Sequence, residues 1–221
     1  LVQGMDVLLQ NGKIAAIGSR GSLSQPADSA RLNIDGKYLV PGYLDMHAHT
    51  LQWPNPAPDL GLMLANGITG FRAMAGSPEW LAERKNGAVL SLAEAPELLI
   101  MPGSVLVRQN TSTPERARAE VRSQHAMGAD FIKVVDTTPA EYLAALDEST
   151  RLGLPFVGHL PASLSVAEAA ANGMRAIEHL GPNDSIVLSC SSDEAALRKA
   201  LAEAGYQGPP VLPDFVFNLI K

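Results

Sequence analysis

Four of the five histidines in the chain stand at the ends of short apolar runs. His47 and His49 close Leu44-Asp45-Met46-His47-Ala48-His49. His159 closes Phe156-Val157-Gly158-His159, and His179 closes Ala176-Ile177-Glu178-His179. Residues i and i+2 of a strand project to the same side, so His47 and His49 present two imidazoles together. Neutral imidazole is a good ligand for zinc and its neighbours. A single strand-end histidine reads most simply as a hydrogen-bonded core residue. Several at equivalent positions, two of them in H-x-H, read as a metal site. His125, in Arg122-Ser123-Gln124-His125, reads as a solvated helix residue. Lys133 lies inside the apolar run Phe131-Ile132-Lys133-Val134-Val135. A charged amine there is costly unless paired or neutralised. On the residues alone it reads either as a lysine that snorkels or pairs with a carboxylate, or as a functional group.

The elements that must position these residues alternate. Ser77-Pro78-Glu79 and Thr113-Pro114-Glu115 each set a capping hydroxyl before a proline at the first helical position. Thr138-Pro139-Ala140-Glu141 and Ser165-Val166-Ala167-Glu168 have capping-box spacing. Gly67, Gly128, Gly153, Gly173 and Gly205 mark helix stops. Between the helices, strands are expected at Leu44–His49, Ile68–Met74, Leu98–Met101, Phe131–Val135, Pro155–His159 and Ala176–His179. Strand and helix in this alternation mean βαβ units and a parallel sheet. The first 43 residues read differently, as two hairpins. Asn11-Gly12 would turn the first, between Met5–Gln10 and Lys13–Ile17. Asp35-Gly36 would turn the second, between Arg31–Ile34 and Lys37–Val40.

No G-x-G-x-x-G or G-x-x-x-x-G-K-[ST] follows the first strand, which removes the usual mark of a nucleotide-binding open sheet. In a (β/α)8 barrel the carboxyl ends of the strands converge on one face. Histidines distant in sequence then form one cluster, and the barrel is the expected architecture.

At this point the chain resembles the amidohydrolase superfamily of metal-dependent hydrolases over nearly its whole length. Asn-Gly-Lys-Ile-Ala-Ala-Ile-Gly (11–18) is similar to the family's N-terminal β-sandwich strand pair. Pro41-Gly42-Tyr43-Leu44-Asp45-Met46-His47-Ala48-His49 matches its P-G-x-x-D-x-H-x-H lead into barrel strand 1. Gly-Ala-Asp-Phe-Ile-Lys-Val (128–134) is similar to strand 4 of members with a carboxylated lysine. Gly158-His159-Leu160 and Ile177-Glu178-His179-Leu180 are similar to strands 5 and 6. Within the superfamily the nearest likeness is to prolidase-like and related amidase members.

The resemblance implies a binuclear centre of two divalent ions, usually zinc. His47 and His49 would bind one ion, His159 and His179 the other, and carboxylated Lys133 would bridge them. The implied reaction is hydrolysis of an amide or peptide-type bond in a dipeptide or N-acyl amino acid, by water that the ions activate. Asp45 shares a face with His47 and His49 and could orient them, or simply start the strand. Arg72 ends strand 2 and could reach a substrate carboxylate. Trp53, in Trp53-Pro54-Asn55-Pro56, could wall the substrate. Glu178 alternates away from His179 and reads as lying behind the barrel.

The family's catalytic Asp, at the end of strand 8, is not identifiable, and Asp214 lacks its context. About 178 residues follow Tyr43, against the ~250 of a typical complete barrel. The expected architecture is therefore α/β: an incomplete (β/α)8 TIM-type barrel of about six strands over 44–221, with part of a small N-terminal β-sandwich over 1–43. Missing strands would come from another copy or a complementing chain, and the isolated chain should be weak or inactive. Two rival readings stand beside the leading one. A mononuclear deaminase would carry H-x-x-E near strand 5, where position 162 is Ala, and would leave Lys133 without a use. A catalytically inactive fragment or assembly module would keep the ligands by descent.

Composition sets the outer bounds. The chain has 221 residues, 46 % hydrophobic and 18 % charged, which excludes a disordered or fibrous chain. The net charge is −6 with no basic stripe, which argues against a nucleic-acid partner. No apolar run approaches the ~18 residues of a membrane span. The single cysteine, Cys190, makes no internal disulfide and fits a reducing, cytoplasmic setting. The first residue is Leu1, so a removed leader and an exported form stay open.

Overall fold

The computed structural model describes residues 2–53, 55–87, 95–161, 163–179 and 185–203. The chain divides into two compact units, Leu1–Pro41 and Gly42–Lys221.

In the first unit, β1 (Met5–Gln10) and β2 (Lys13–Ser19) form an antiparallel hairpin. Asn11 and Gly12 both have positive φ, 53° and 70°, as a type I′ turn requires. The second expected hairpin is absent: residues 31–40 form no strand. The turn chemistry explains this. Lys37 N donates to Ile34 O at 2.9 Å, so the turn is centred on Asp35-Gly36. Only Gly36 has positive φ there, 74°. A single left-handed residue at the third turn position gives type II geometry, whose twist splays flanking strands. Asn33 Oδ1 also accepts from Asp35 N at 2.9 Å, which closes the turn locally. Among the described residues this unit is one hairpin, and the β-sandwich is not seen.

The second unit alternates strand and helix. Its elements are β3 (Tyr43–Ala48), α1 (Ala57–Ala65), β4 (Ile68–Ala73), α2 (Pro78–Lys85), β5 (Glu97–Ile100), β6 (Leu106–Val107), α3 (Pro114–Met127), β7 (Ile132–Asp136), α4 (Pro139–Arg151), β8 (Phe156–Gly158), α5 (Val166–Ala171), β9 (Met174–Ile177), α6 (Ser185–Ser189) and α7 (Glu194–Glu203). The four capping side chains engage as the sequence predicts, but of the two expected boxes the structure gives a reciprocal one at Thr138–Glu141 and not at Ser165–Glu168. Ser77, Thr113, Thr138 and Ser165 side chains accept from the backbone of Trp80, Arg116, Glu141 and Glu168. Thr138 and Glu141 complete a reciprocal capping box. Gly67, Gly128, Gly153 and Gly173 all have positive φ, while Gly205 lies outside the described residues.

All pairings in this unit are parallel, in the orders β3-β4-β5 and β6-β7-β8-β9. A bridge from Pro102, just after β5, to Phe131, just before β7, joins the two runs into one row. The last strand begins and ends two residues earlier than the sequence suggests, at Met174 and Ile177.

Side-chain alternation sorts the residues into layers. Ile132, Val134 and Phe156 pack outward against Ala117 and Val121 of α3 and Tyr142 and Leu146 of α4. Phe71 and Ala73 pack with Leu60 of α1 and Leu81 of α2. A separate cluster of Met74, Phe131 and Val157 sits on the other face, and Lys133 shares that side because it alternates with Ile132 and Val134. The result is an α/β fold with parallel sheets, consistent with part of a TIM-type barrel. No described helix is long and apolar enough to cross a membrane.

Candidate metal centre and its supports

The carboxyl ends of β3, β8 and β9 bring the four histidines together, while Lys133 lies near the start of β7. The rings of His47 and His49 have centroids 5.1 Å apart, those of His47 and His179 4.4 Å, and those of His159 and His179 5.4 Å. His47 Nε2 and His49 Nε2 stand 3.2 Å apart. Two nitrogens on one tetrahedral zinc, at bonds of ~2.0–2.1 Å, would stand about 3.3 Å apart. His47 and His49 therefore fit as a pair of ligands to one ion. Among the described residues, no group of three or more His, Cys, Asp or Glu side chains is arranged to hold an ion.

Backbone geometry sets the outer two histidines. Gly158 has φ of +134°, and a Cβ there would collide with the carbonyl oxygen of Val134. Its absence lets the end of β8 close on β7, where His159 N donates to Val134 O at 2.9 Å. His179 has φ of +64°, a left-handed conformation uncommon for a residue other than glycine. Such positions cost energy and cluster at functional sites.

Lys133 is 1 % exposed, and its Nζ has no hydrogen-bond partner. Burial pushes its amine down to about 8; nearby Glu178 opposes this and Arg72 adds to it. Burial likewise lowers His159, to about 4, with Lys133 and His179 adding to the effect. His49 and His179 are lowered by burial first, then by His47. These surroundings work against the charged forms of His49, His159, His179 and Lys133. His49 Nδ1 and His159 Nδ1 are also buried without partners.

Glu178 does not lie behind the sheet. It is 7 % exposed, and its Oε2 stands 2.8 Å from His47 Nδ1. The strict alternation expected from a strand fails because β9 ends at Ile177 and His179 turns left-handed. Two consecutive side chains then reach the same pocket. Burial alone would raise the Glu178 carboxyl, but His47, Arg72 and Lys133 together hold it below the usual range. Asp45 takes a local role: its Oδ1 accepts from the backbone N of His47 at 2.9 Å.

Arg72 is engaged within the protein. Its Nη2 donates to Glu178 Oε1 at 2.7 Å, its Nε to Met46 O at 2.6 Å, and its guanidinium lies 5.7 Å from the Phe131 ring centroid. The guanidinium expected to reach a substrate carboxylate instead holds Glu178. Trp53 is exposed and lines an open cleft of about 440 Å³ beside Asp45, His47, His49 and Met63. His125 is exposed on α3. Pro54, Leu180 and Asp214 lie outside the described residues.

These contacts fix the curvature of the sheet. β3 and β9 sit at opposite ends of the strand row. The stretch after β5 and β6 both pair with β7 and share one place in the row, so in a flat sheet five spacings of ~4.8 Å would separate β3 from β9 by about 24 Å. The His47–Glu178 contact at 2.8 Å shows that the row curls until its ends approach.

The chain is similar to a dihydroorotase from Syntrophus aciditrophicus, 36 % identical over 90 residues, which is 38 % of this chain and 20 % of that protein. It is similar to an N-acetylglucosamine-6-phosphate deacetylase from Lysinibacillus sphaericus, 28 % identical over 203 residues, or 86 % of this chain and 46 % of that protein. An amidohydrolase of known structure superposes with a TM-score of 0.64 at 21 % identity, over 95 % of this chain and 66 % of that one. No protein-family model matches the chain. The chain spans less than half the length of these two sequence relatives. The chain thus shares its fold with solved structures that include an amidohydrolase, and stretches of its sequence with a dihydroorotase and a deacetylase.

Proposed function

We propose that residues 44–221 are the hydrolytic part of a metal-dependent enzyme that cleaves an amide-type bond in a small molecule. The proposed substrate class is a dipeptide or N-acyl amino acid, in the manner of prolidase-like enzymes with a carboxylated lysine. Residues 1–43 would contribute to an appended β-sandwich. His47 and His49 would hold one divalent ion, His159 and His179 a second, and a carbamate on Lys133 would bridge them.

The observation that carries this reading is Lys133. A buried amine with no partner, in a strand among four clustered imidazoles, is poorly explained as a structural lysine. Its lowered affinity for a proton, down to about 8, raises the share of free amine, the form that adds carbon dioxide. In that step the amine nitrogen bonds to the carbon of CO2 and loses one proton, giving an anionic oxygen donor. Each ion would then draw two imidazoles and a carbamate oxygen from the chain. That scheme needs no group of three histidines or carboxylates around one point, unlike a mononuclear site. Zinc is favoured by the nitrogen-rich donor set, although imidazole and carboxylate oxygens accept manganese, cobalt or iron as well.

When bound, two such ions polarise a substrate carbonyl and acidify water. The chain's own residues prepare the place. Desolvation works against the charged forms of His49, His159 and His179, which favours imidazoles with a lone pair to give. Trp53 flanks the open cleft beside His47 and His49, where it can pack against a bound substrate. Carboxylate recognition is not assigned to Arg72, because its guanidinium is taken up by Glu178 and Met46.

The test is hydrolysis of N-acyl amino acids and Xaa-Pro dipeptides by the full chain, with metal counted on the same sample. About two ions per chain, with zinc-dependent turnover that is weak because no strand 8 Asp is identified, supports the reading. One ion per chain with deamination of a heterocyclic amine would favour a mononuclear deaminase. Neither metal nor turnover would leave a non-catalytic module.

A further inference from the structure

The hydrogen-bonding requirements of His47 point to a residue that the ligand set leaves out. Its two ring nitrogens face different partners. Nδ1 meets the Glu178 carboxylate at 2.8 Å, and Nε2 meets His49 Nε2 at 3.2 Å. An ionised carboxylate can only accept, so the Nδ1 side must carry the hydrogen. Nε2 then keeps its lone pair and points it at the partner imidazole.

Glu178 is itself constrained. Its second oxygen accepts from Arg72 Nη2 at 2.7 Å, and Arg72 Nε reaches the Met46 carbonyl one residue before His47. Both carboxylate oxygens are thus engaged, and the side chain is only 8 % exposed. A carboxylate in this state cannot rotate without breaking a charge-assisted bond. Asp45, the residue expected from sequence to orient the pair, contacts the His47 backbone and not its ring.

We infer that Glu178, braced by Arg72, is the positioning residue of the site: it fixes His47 as the Nδ1–H tautomer and aims its Nε2 lone pair at the space shared with His49. For its consequence on metal affinity the inference rests on the reading of His47 as a ligand. For the tautomer it stands on hydrogen bonding alone. Outer partners of ligating histidines usually act through such a bond, and their loss costs on the order of 10–100-fold in metal affinity.

The experiment uses the full chain with 15N-labelled histidine, without added metal, and reads the His47 tautomer from long-range proton–nitrogen correlations. A second arm measures zinc affinity by competition with a chromophoric chelator. The wild type is expected to hold the proton on Nδ1. Glu178→Ala is expected to lose that preference and to bind zinc on the order of 10–100-fold more weakly. Glu178→Gln offers one acceptor oxygen to two donors, Arg72 Nη2 and His47 Nδ1, and should hold the Nδ1–H preference only in part, with an intermediate loss of affinity. A wild-type proton on Nε2 overturns the inference, and that measurement stands even if Glu178→Ala does not fold. A folded Glu178→Ala with unchanged tautomer and unchanged affinity also overturns it. A wild type with Nδ1–H that takes up no zinc upholds the positioning role and removes the metal reading instead.

Discussion

His47 meets His49 nitrogen to nitrogen, Nε2 to Nε2, at 3.2 Å, across a gap suited to one ion. His49 Nδ1 is buried and bonded to nothing. Replacing His49 with Ala should therefore remove a ligand without breaking a hydrogen bond from Nδ1. The expected result is loss of about one ion per chain and a fall in turnover beyond the ~100-fold typical of outer partners. Elemental analysis and a far-ultraviolet dichroism spectrum check both halves, the second being unchanged.

Lys133 predicts a covalent signature. Protein exchanged into 13C-bicarbonate should show a carbamate carbon resonance that Lys133→Met lacks. The amine is pushed down to about 8 by burial, so carbamate content should rise as pH climbs through that region and protonated amine disappears. Lys133→Met should also fold at least as stably, because it removes an unpartnered buried amine. No carbamate resonance in wild type, together with a less stable Lys133→Met, would point to a structural lysine.

Gly158 predicts a steric failure. A methyl group there would strike the Val134 carbonyl, and its φ of +134° is strained for any residue with a side chain. Gly158→Ala should cost about 2–4 kcal/mol in denaturant unfolding. Metal uptake should fall with it, since the same contact seats His159. An alanine variant of wild-type stability would mean that β8 and β7 stand farther apart.

Acid stability is expected to depend on Glu148, far from the site. Its buried carboxylate pairs with Arg151, with Arg122 at 3.3 Å and with Arg118 at 3.8 Å. Hydrogen bonding to Arg151, then Arg122, holds its pKa below the usual 4.5. A depressed folded-state pKa contributes stability above the unfolded value and loses it as pH falls through the folded one. Wild type should exceed Glu148→Gln by about 1 kcal/mol at neutral pH. That gap should close as pH falls below about 4.5. Chemical melts at several pH values read it directly.

The strand row and helix caps were legible in the sequence because they rest on local chemistry. Proline after a capping hydroxyl, and glycine after a helix, mean the same thing in any context. The second hairpin was misread because Asp35-Gly36 supports two turn types. Only the backbone angle at Asp35 separates them. The place of Glu178 is hidden from the sequence for a different reason. Period-two alternation holds inside a strand, but β9 ends one residue earlier and His179 adopts a left-handed backbone. Arg72 needed the fold as well: its partners, Met46 and Glu178, are distant in sequence, and nothing local announces them. The histidine cluster was visible as a pattern, while the distances that make it a candidate centre come from the curl of the sheet.

The guanidinium of Arg72 acts as a spacer block. It is flat and rigid, and it touches the first strand of the row with one edge and the residue after the last strand with the other. The width of the mouth at that point is thus gauged by side chains, Arg72 together with the direct His47–Glu178 contact, where elsewhere the backbone ladder sets it. A shorter cation such as lysine could satisfy one contact at a time, and the arch would lose its fixed span.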